Sequence, residues 1–211
     1  NINLPLVSLS DILHNNVAIC EEVNKLCRPL EHFTHYLQQG YYPFGAEGFA
    51  TYNQRVENTV ELLLNIELPQ LRKVDIGNIR KLKALLSVLA SEVPMLVDTA
   101  KLSTLLGISR NTLLAYLEYL DEAKLIKRLY SDDLSVKKMQ KPDKILMDNC
   151  NLLKVLALKE PNIGTLRETF FCNQLGYQHQ VEYSKQGDFL IDHQITFEIG
   201  GQAKEGKQVA A

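Results

Sequence analysis

Apolar residues recur at helical spacing through most of the first ninety positions of the chain. The spacing predicts five helices, over residues 8–13, 16–27, 29–39, 47–67 and 76–91. Pro29 suits the first turn of the third helix, because the missing N–H has no partner there anyway. Pro69 is expected to end the fourth. We therefore expect helix as far as about residue 123, with only the opening residues in doubt.

Residues 98–130 predict two short helices joined by a tight turn and followed by a strand. Asp98 or Thr99 can cap the first helix, because a side-chain oxygen there accepts a backbone N–H that has no partner in the helix. Gly107 suits the turn, since a β-carbon would obstruct it. Ser109 can cap the second helix. The pattern is typical of a helix-turn-helix, and the following strand makes it a winged one.

The second helix of such a unit commonly lies in the major groove of DNA. Arg110 and Asn111 at its start could reach bases, while Lys127 and Arg128 on the wing could contact phosphates. Within residues 98–130, however, five basic residues stand against four acidic ones, whereas a DNA reader normally has a basic face. Winged helices also dock proteins, so DNA and a protein partner both remain open.

Beyond Lys124 the pattern changes to short strand-like runs around two helices. Strands are expected at 125–131, 141–149, 180–184, 188–192 and 195–200, and helices at 151–158 and 162–176. Gly176 closes the second of these helices. The run predicts a small α+β domain at the end of the chain.

Composition excludes some classes of protein but does not identify a ligand. The chain has 211 residues, 45% of them hydrophobic, and a formal net charge of −2. No global basic field attracts nucleic acid, so any such attraction must be local. No apolar run approaches a membrane span, and we expect a cytoplasmic protein with no membrane partner. The four cysteines and five histidines show no metal-ligand spacing, so the cysteines are expected to be reduced, partly buried thiols.

Several short motifs follow one another in a recognisable order. The first is PLEHFTHYLQQGYYPF, with Phe33, Tyr36, Gly40 and Pro43 as its marked positions. KPDKILMDNCNLL follows, and then NIGTLRETFFCNQL, with Gly164, Glu168 and Leu175. The last two are GDFLID and FEIGG. Together they resemble the C-terminal half of a prokaryotic family of AAA-type ATPases. Met147 stands where that family usually has an aromatic residue, and Asn151 stands where it has glycine.

The resemblance implies a P-loop ATPase core on the N-terminal side of the chain, which would bind ATP and Mg²⁺ and would be a partner of this module. The chain begins with Asn1, and residues 1–6 read like the tail of a strand, so a fragment of a longer protein is expected. Residues 201–207 (GQAKEGK) match G-x4-G-K by chance. Gln208 follows where a Ser or Thr must hold magnesium, and no helix follows to hold phosphates. No cofactor is therefore expected in the chain itself.

The resemblance also implies a restriction-endonuclease-like sheet at the end of the chain. Such nucleases place three carboxylates around Mg²⁺ with a nearby lysine that assists the attacking water. The matching residues are Glu168, Asp188 and Glu198 as possible metal ligands, with Lys204 as the lysine. The usual lysine position holds Gly200, which favours a degenerate, inactive site.

The resulting prediction is a mainly α protein with a C-terminal α+β part. A helical segment (1–93) precedes a winged helix-turn-helix (94–140) and a small, mixed-sheet, nuclease-like domain (141–211). We expect a non-catalytic module of a putative AAA-type ATPase, whose winged helix binds DNA or a protein partner. The alternatives are a Mg²⁺-dependent nuclease that uses the four residues above and a dimeric winged-helix transcriptional regulator.

Overall fold

Helices occupy the chain up to residue 92, and short strands enter from residue 95 onwards. The computed structural model describes residues 6–72, 74, 76–131 and 141–200. The helices are α1 (Leu9–Leu26), α2 (Pro29–Gln39), α3 (Tyr52–Leu62), α4 (Leu68–Arg72), α5 (Ile76–Glu92), α6 (Thr99–Leu106), α7 (Arg110–Glu122), α8 (Cys150–Leu156) and α9 (Ile163–Leu175). The strands are β1 (Met95–Leu96), β2 (Ile126–Leu129), β3 (Lys144–Met147), β4 (Val181–Tyr183), β5 (Phe189–Ile191) and β6 (Ile195–Phe197).

Three of the predicted helix boundaries are wrong. The first two helices form one, α1, which is kinked at Asn15 (φ −124°, ψ 27°). Residues 43–47 form a 3-10 turn, so that α3 starts only at Tyr52. Pro69 does not end the helix. A π-helical turn over residues 63–67 shifts the hydrogen-bond ladder just before the proline, and the helix continues to Arg72. Such a turn re-arranges the backbone hydrogen bonds around a residue that has no N–H.

The two helices and the turn predicted within residues 98–130 are confirmed. Asp98 caps α6 by accepting from the N–H of Lys101 at 3.0 Å. Gly107 adopts the left-handed conformation, at φ 59° and ψ 44°, which costs glycine little. Ser109 caps α7 by accepting from the N–H of Thr112 at 3.1 Å. The tiny strand β1 was not predicted, because two residues carry no readable alternation.

The first sheet lies between two hydrophobic layers. Its strands are antiparallel in the order β1-β3-β2, with Ile126 opposite Met147 and Arg128 opposite Ile145. Ile126, Ile145 and Met147 belong to the large core formed with the helices, whereas Leu129 and Leu146 belong to a second core. Both faces of β3 are therefore buried, which explains its unbroken apolar run.

The second sheet is an antiparallel meander, β4-β5-β6. The prediction of a mixed sheet is wrong for the described residues, since every strand pair there is antiparallel. Only 184–188 and 192–194 link its strands, and a parallel pair needs a crossover of about a dozen residues or more. The backbone N–H of Tyr183 donates to the carbonyl of Tyr130 at 2.9 Å. The second sheet thus begins where the first one ends.

The large core collects residues between Leu37 and Leu166, and so draws on all three predicted segments. Helix α1 has no buried residue, and its Leu9 packs, partly buried, against the second core. Within the described ranges, no helix combines the length and apolar character needed to cross a bilayer.

Asn151 joins the helical segment to the end of β3. Its side chain is fully buried. The amide donates to the carbonyls of Tyr36 and Leu37, at 3.1 and 3.0 Å, in the last turn of α2. The amide oxygen accepts from the Tyr41 backbone N–H at 2.8 Å and from the Tyr52 hydroxyl. Four hydrogen bonds from one side chain thus close α2 and place the following loop against β3.

Asn151→Ala is expected to lower the free energy of unfolding by about 3 kcal/mol, because buried carbonyls, an N–H and a hydroxyl lose their partner together. Urea unfolding followed by circular dichroism measures the change. Asn58→Ala, on the exposed surface of α3, is the matched control and should change stability by no more than about 0.5 kcal/mol. Equal effects in the two variants would contradict the role given to Asn151.

Candidate functional site

The start of α7 presents a basic, exposed surface. Arg110 and Asn111 are exposed there, and neither side chain hydrogen-bonds another described residue. Lys81 from α5 donates to the carbonyl of Gly107 at 2.9 Å, which brings a second cation to the turn. The N-terminal end of a helix adds a partial positive charge. This end of α7 is therefore suited to an anionic partner.

The far end of α7 is acidic and already has partners inside the protein. Glu122 pairs with Arg72. Asp121 accepts from the Arg128 side chain at 3.1 Å and from its backbone N–H at 3.2 Å. Arg128 is only 18% exposed. Arg128 therefore links β2 to α7. The prediction that Arg128 contacts a phosphate did not include this role.

Lys127 lies on the opposite side of β2 from Arg128, because neighbouring residues of a strand point to opposite faces. It lines a cavity shared with Tyr41, Asp148 and α9. The structure therefore does not bring the four predicted DNA-binding residues together. Arg110 and Asn111 share one surface, and Lys127 and Arg128 each face a different part of the protein.

Glu168 lies on α9 and forms an ion pair with Lys144 of β3. Lys144 Nζ lies 2.7 Å from Glu168 Oε2, and the two side chains are 9% and 14% exposed. The same ammonium group lies 4.8 Å from the centre of the Phe189 ring. The predicted helix carboxylate thus has a buried cation as its partner and holds α9 against the first sheet.

Asp188 immediately precedes β5, and Glu198 lies nearby, just after β6. Asp188 accepts from the backbone N–H of Ile199 at 2.6 Å, which fixes the end of the meander, and Glu198 is exposed. Within residues 6–131 and 141–200, apart from 73 and 75, no group of three or more His, Cys, Asp or Glu side chains could hold a metal ion. Lys204 and the 201–207 match lie outside the described residues. Mg²⁺-dependent hydrolysis therefore gains no support from the part that is described.

A polar cluster that was not predicted surrounds Asp148, at the end of β3. The Tyr41 hydroxyl donates to Asp148 Oδ2 at 3.3 Å and lies 2.9 Å from the Tyr177 hydroxyl. Asn173 of α9 donates to the backbone carbonyl of Asp148 at 2.9 Å. Burial raises the pKa of the Asp148 carboxyl, although hydrogen bonds and two lysines act against this. Three separate parts of the chain thus meet at one carboxylate.

Two small cavities adjoin this carboxylate. The first has a volume of about 240 Å³, and the second a volume of about 280 Å³. The first is lined by Tyr41, Lys124, Lys127, Asp148, Cys172, Asn173, Gly176 and Tyr177. The second is lined by Tyr41, Tyr42, Phe44, Val56, Thr59, Val60, Leu63, Ala123, Lys124, Leu125 and Asp148. The first is polar and charged, and the second is mainly aromatic and aliphatic. Tyr41, Lys124 and Asp148 line both.

Lys124 has an unusual backbone for a lysine, with φ at 57°. It follows the last turn of α7 at a position where glycine is usual, because a side chain in the left-handed region costs free energy. Since no glycine occurs there, the sequence did not reveal this conformation. This strained backbone places the Lys124 side chain beside Asp148.

The four cysteines are free thiols. Cys150 and Cys172 are buried, and burial raises the pKa of each to about 12. Cys20 is exposed and Cys27 is half-buried. The expectation of reduced, partly buried thiols is therefore confirmed for Cys27, Cys150 and Cys172, and the expected burial is wrong for Cys20. Cys150 and Cys172 are poor nucleophiles because they stay protonated.

An apolar groove of about 570 Å³ lies between α5, β1 and α6. Its lining includes Leu96, Leu105 and Leu158, which are 64%, 63% and 80% exposed. Exposed apolar patches of this kind often contact other proteins.

The chain belongs to a family described as a domain of unknown function (DUF8612), whose model matches residues 30–162. The match covers most of the helical segment, both helices around Gly107, the first sheet and α8. Comparison with curated proteins and with solved structures gave no significant match.

Glu168→Gln is expected to lower the free energy of unfolding by about 3 kcal/mol, because it leaves the Lys144 ammonium buried without its counter-charge. Urea unfolding measures the change. The double variant Lys144→Met with Glu168→Leu should recover most of the loss, since apolar side chains replace a buried ion pair well. If Glu168→Gln leaves stability unchanged, the carboxylate has no structural role and is free for a ligand.

Asp148→Asn is expected to stabilise the protein at neutral pH. The folded state raises the pKa of this carboxyl, so the wild-type protein loses stability as pH rises and the group ionises. The advantage of Asn should therefore be full above the folded-state pKa and should shrink as pH falls toward the ordinary value for Asp. Urea unfolding of both proteins between about pH 3.5 and about pH 8, a range that starts just below the ordinary Asp pKa of about 3.9, tests this. A pH-independent difference would contradict it.

Proposed function

We propose that the chain is a winged-helix module of an AAA-type ATPase and that it contacts DNA through the start of α7. The order α5-β1-α6-α7-β2-β3, with strands paired as β1-β3-β2, matches the arrangement in which a second helix enters the major groove and a hairpin forms the wing.

The exposed N-terminal turn of α7 is the observation that carries this proposal. DNA-reading helices of this kind use their N-terminal residues on base edges. Arg110 can contact two acceptors of guanine and Asn111 can pair with adenine. Asp121 and Glu122 lie at the other end of the helix and pair with Arg128 and Arg72, while Glu118, one turn earlier, is exposed. The start of α7 is thus basic and its far end acidic, which is the charge distribution that DNA binding by the start of the helix requires.

The place in an ATPase rests on the resemblance and on the contacts between its motifs. The Tyr36 ring packs against Phe170, with centroids 5.6 Å apart, and its hydroxyl accepts from Gln174 at 3.2 Å. The amide of Asn151 binds the backbone of the same segment. Motifs that lie more than a hundred residues apart therefore form one scaffold. This supports the expectation that they belong to one module, which would bind its own ATPase core.

Fluorescence anisotropy with a labelled DNA duplex at low salt tests the DNA contact. We expect binding that weakens steeply with salt, because phosphate contacts release counterions. Arg110→Ala should weaken it about tenfold and reduce the salt slope by about one if the guanidinium meets a phosphate. Arg28→Ala is the control, since Arg28 is an exposed arginine outside α7.

Absence of binding at low salt, or equal affinity in Arg110→Ala and the wild type, would overturn the DNA contact. In that case the winged helix would be a protein-docking module, and the apolar groove along α5 and α6 would be the surface to map.

A further inference from the structure

We propose that the two cavities at Asp148 together bind a ribonucleoside monophosphate group, with the phosphate at Lys124 and Lys127 and the base against Tyr42 and Phe44. The site is separate from the start of α7, and the inference does not depend on DNA binding by that helix.

The charged cavity is suited to a phosphate. Lys124 and Lys127 both line it, and neither ammonium group forms an ion pair with a described residue. Asp148 is the one carboxylate in its described lining, so the cations outnumber the anions. Tyr41, Tyr177 and Asn173 add hydrogen-bonding groups around it. Ammonium groups bind phosphate strongly in such surroundings, because hydrogen bonds between charged groups are short and strong.

The backbone at Lys124 is an independent sign of a binding role. A lysine held at φ 57° costs stability that glycine would restore. Backbone strain of this kind gathers at ligand sites, where the surrounding structure maintains it. Because Lys124 follows the end of α7, it lines both cavities.

The second cavity is suited to a flat ring. Tyr42 and Phe44 stack on each other, with 4° between their planes and 5.4 Å between their centroids, so a base would stack on the outer face of this pair. Val56, Val60 and Leu63 complete an apolar lining. Bases stack on aromatic side chains without needing a particular sequence. The cavities, of about 280 and 240 Å³, share Tyr41, Lys124 and Asp148 in their linings. Each is smaller than an ordinary ligand pocket of roughly 300–1,000 Å³, so a nucleotide must extend into both.

Asp148 lies between the two cavities, because it lines both. The ribose of a nucleotide lies between its phosphate and its base in the same way. An acidic side chain accepts hydrogen bonds from ribose hydroxyls in nucleotide-binding proteins. This gives the buried carboxylate a ligand partner and favours ribonucleotides over deoxyribonucleotides.

Isothermal titration calorimetry of the whole chain with AMP at low ionic strength tests the proposal. We expect AMP to bind, with adenosine, inorganic phosphate and 2′-deoxy-AMP each about tenfold weaker or more, since each lacks at least one of the three contacts. Lys124→Gly should weaken AMP binding about tenfold and yet raise the melting temperature, because glycine relieves the left-handed backbone. Replacing a lysine with a purely structural role would not weaken AMP binding while raising the melting temperature.

Lys127→Ala should also weaken AMP binding about tenfold. The exposed Lys159→Ala and the Arg110→Ala variant should leave it unchanged, which separates this site from the start of α7. A 5′-phosphorylated oligoribonucleotide that binds more tightly than AMP through the same lysines would identify an RNA end as the source of the group, whereas tighter AMP would identify the free nucleotide. Failure of AMP to bind at millimolar concentration, or full affinity in both lysine variants, would overturn the proposal.

Discussion

The side chain of Asn151 is the interaction on which the arrangement of this molecule depends. It binds two carbonyls at the end of α2, one backbone N–H in the next loop and the Tyr52 hydroxyl. A helix end that is buried without partners is costly, and an asparagine can supply both the donors and the acceptor that are needed. The loop that carries Tyr41 and Tyr42 is thereby held against the end of β3.

Asn149 extends this connection toward the cavity. Its side chain caps α8 by accepting from the N–H groups of Asn151 and Leu152, and its amide group donates to the Tyr42 hydroxyl. The cap of one helix and the position of an aromatic ring are therefore set by the same residue. Asp148, immediately before it, is left facing the lysines that follow α7. Asp148 thus faces the cavities, whereas Asn149 and Asn151, which follow it, hold the surrounding elements together.

Much of the local structure could be predicted from the sequence, because caps and hydrophobic spacing are local signals. Asp98, Gly107 and Ser109 mark α6 and α7 correctly, and Asn162 and Gly176 bound α9 as expected. The roles of individual charges could not be predicted in this way. Arg128 and Glu168 were expected to meet ligands, yet each has a partner that is close only after folding, namely Asp121 and Lys144. The cavity at Asp148 depends on contacts between residues more than a hundred positions apart, which have no signature in one sequence.

Native-state hydrogen exchange of the Tyr41 amide tests most directly whether Asn151 holds the helical segment to the sheet. This N–H donates to the Asn151 side chain at 2.8 Å, so its protection reports that contact. We predict that Tyr41 exchanges with the same opening free energy as the amides of β3, because the two should open together as one cooperative unit. Rapid exchange at Tyr41 while β3 stays protected would show that the segment opens independently, and would contradict the account.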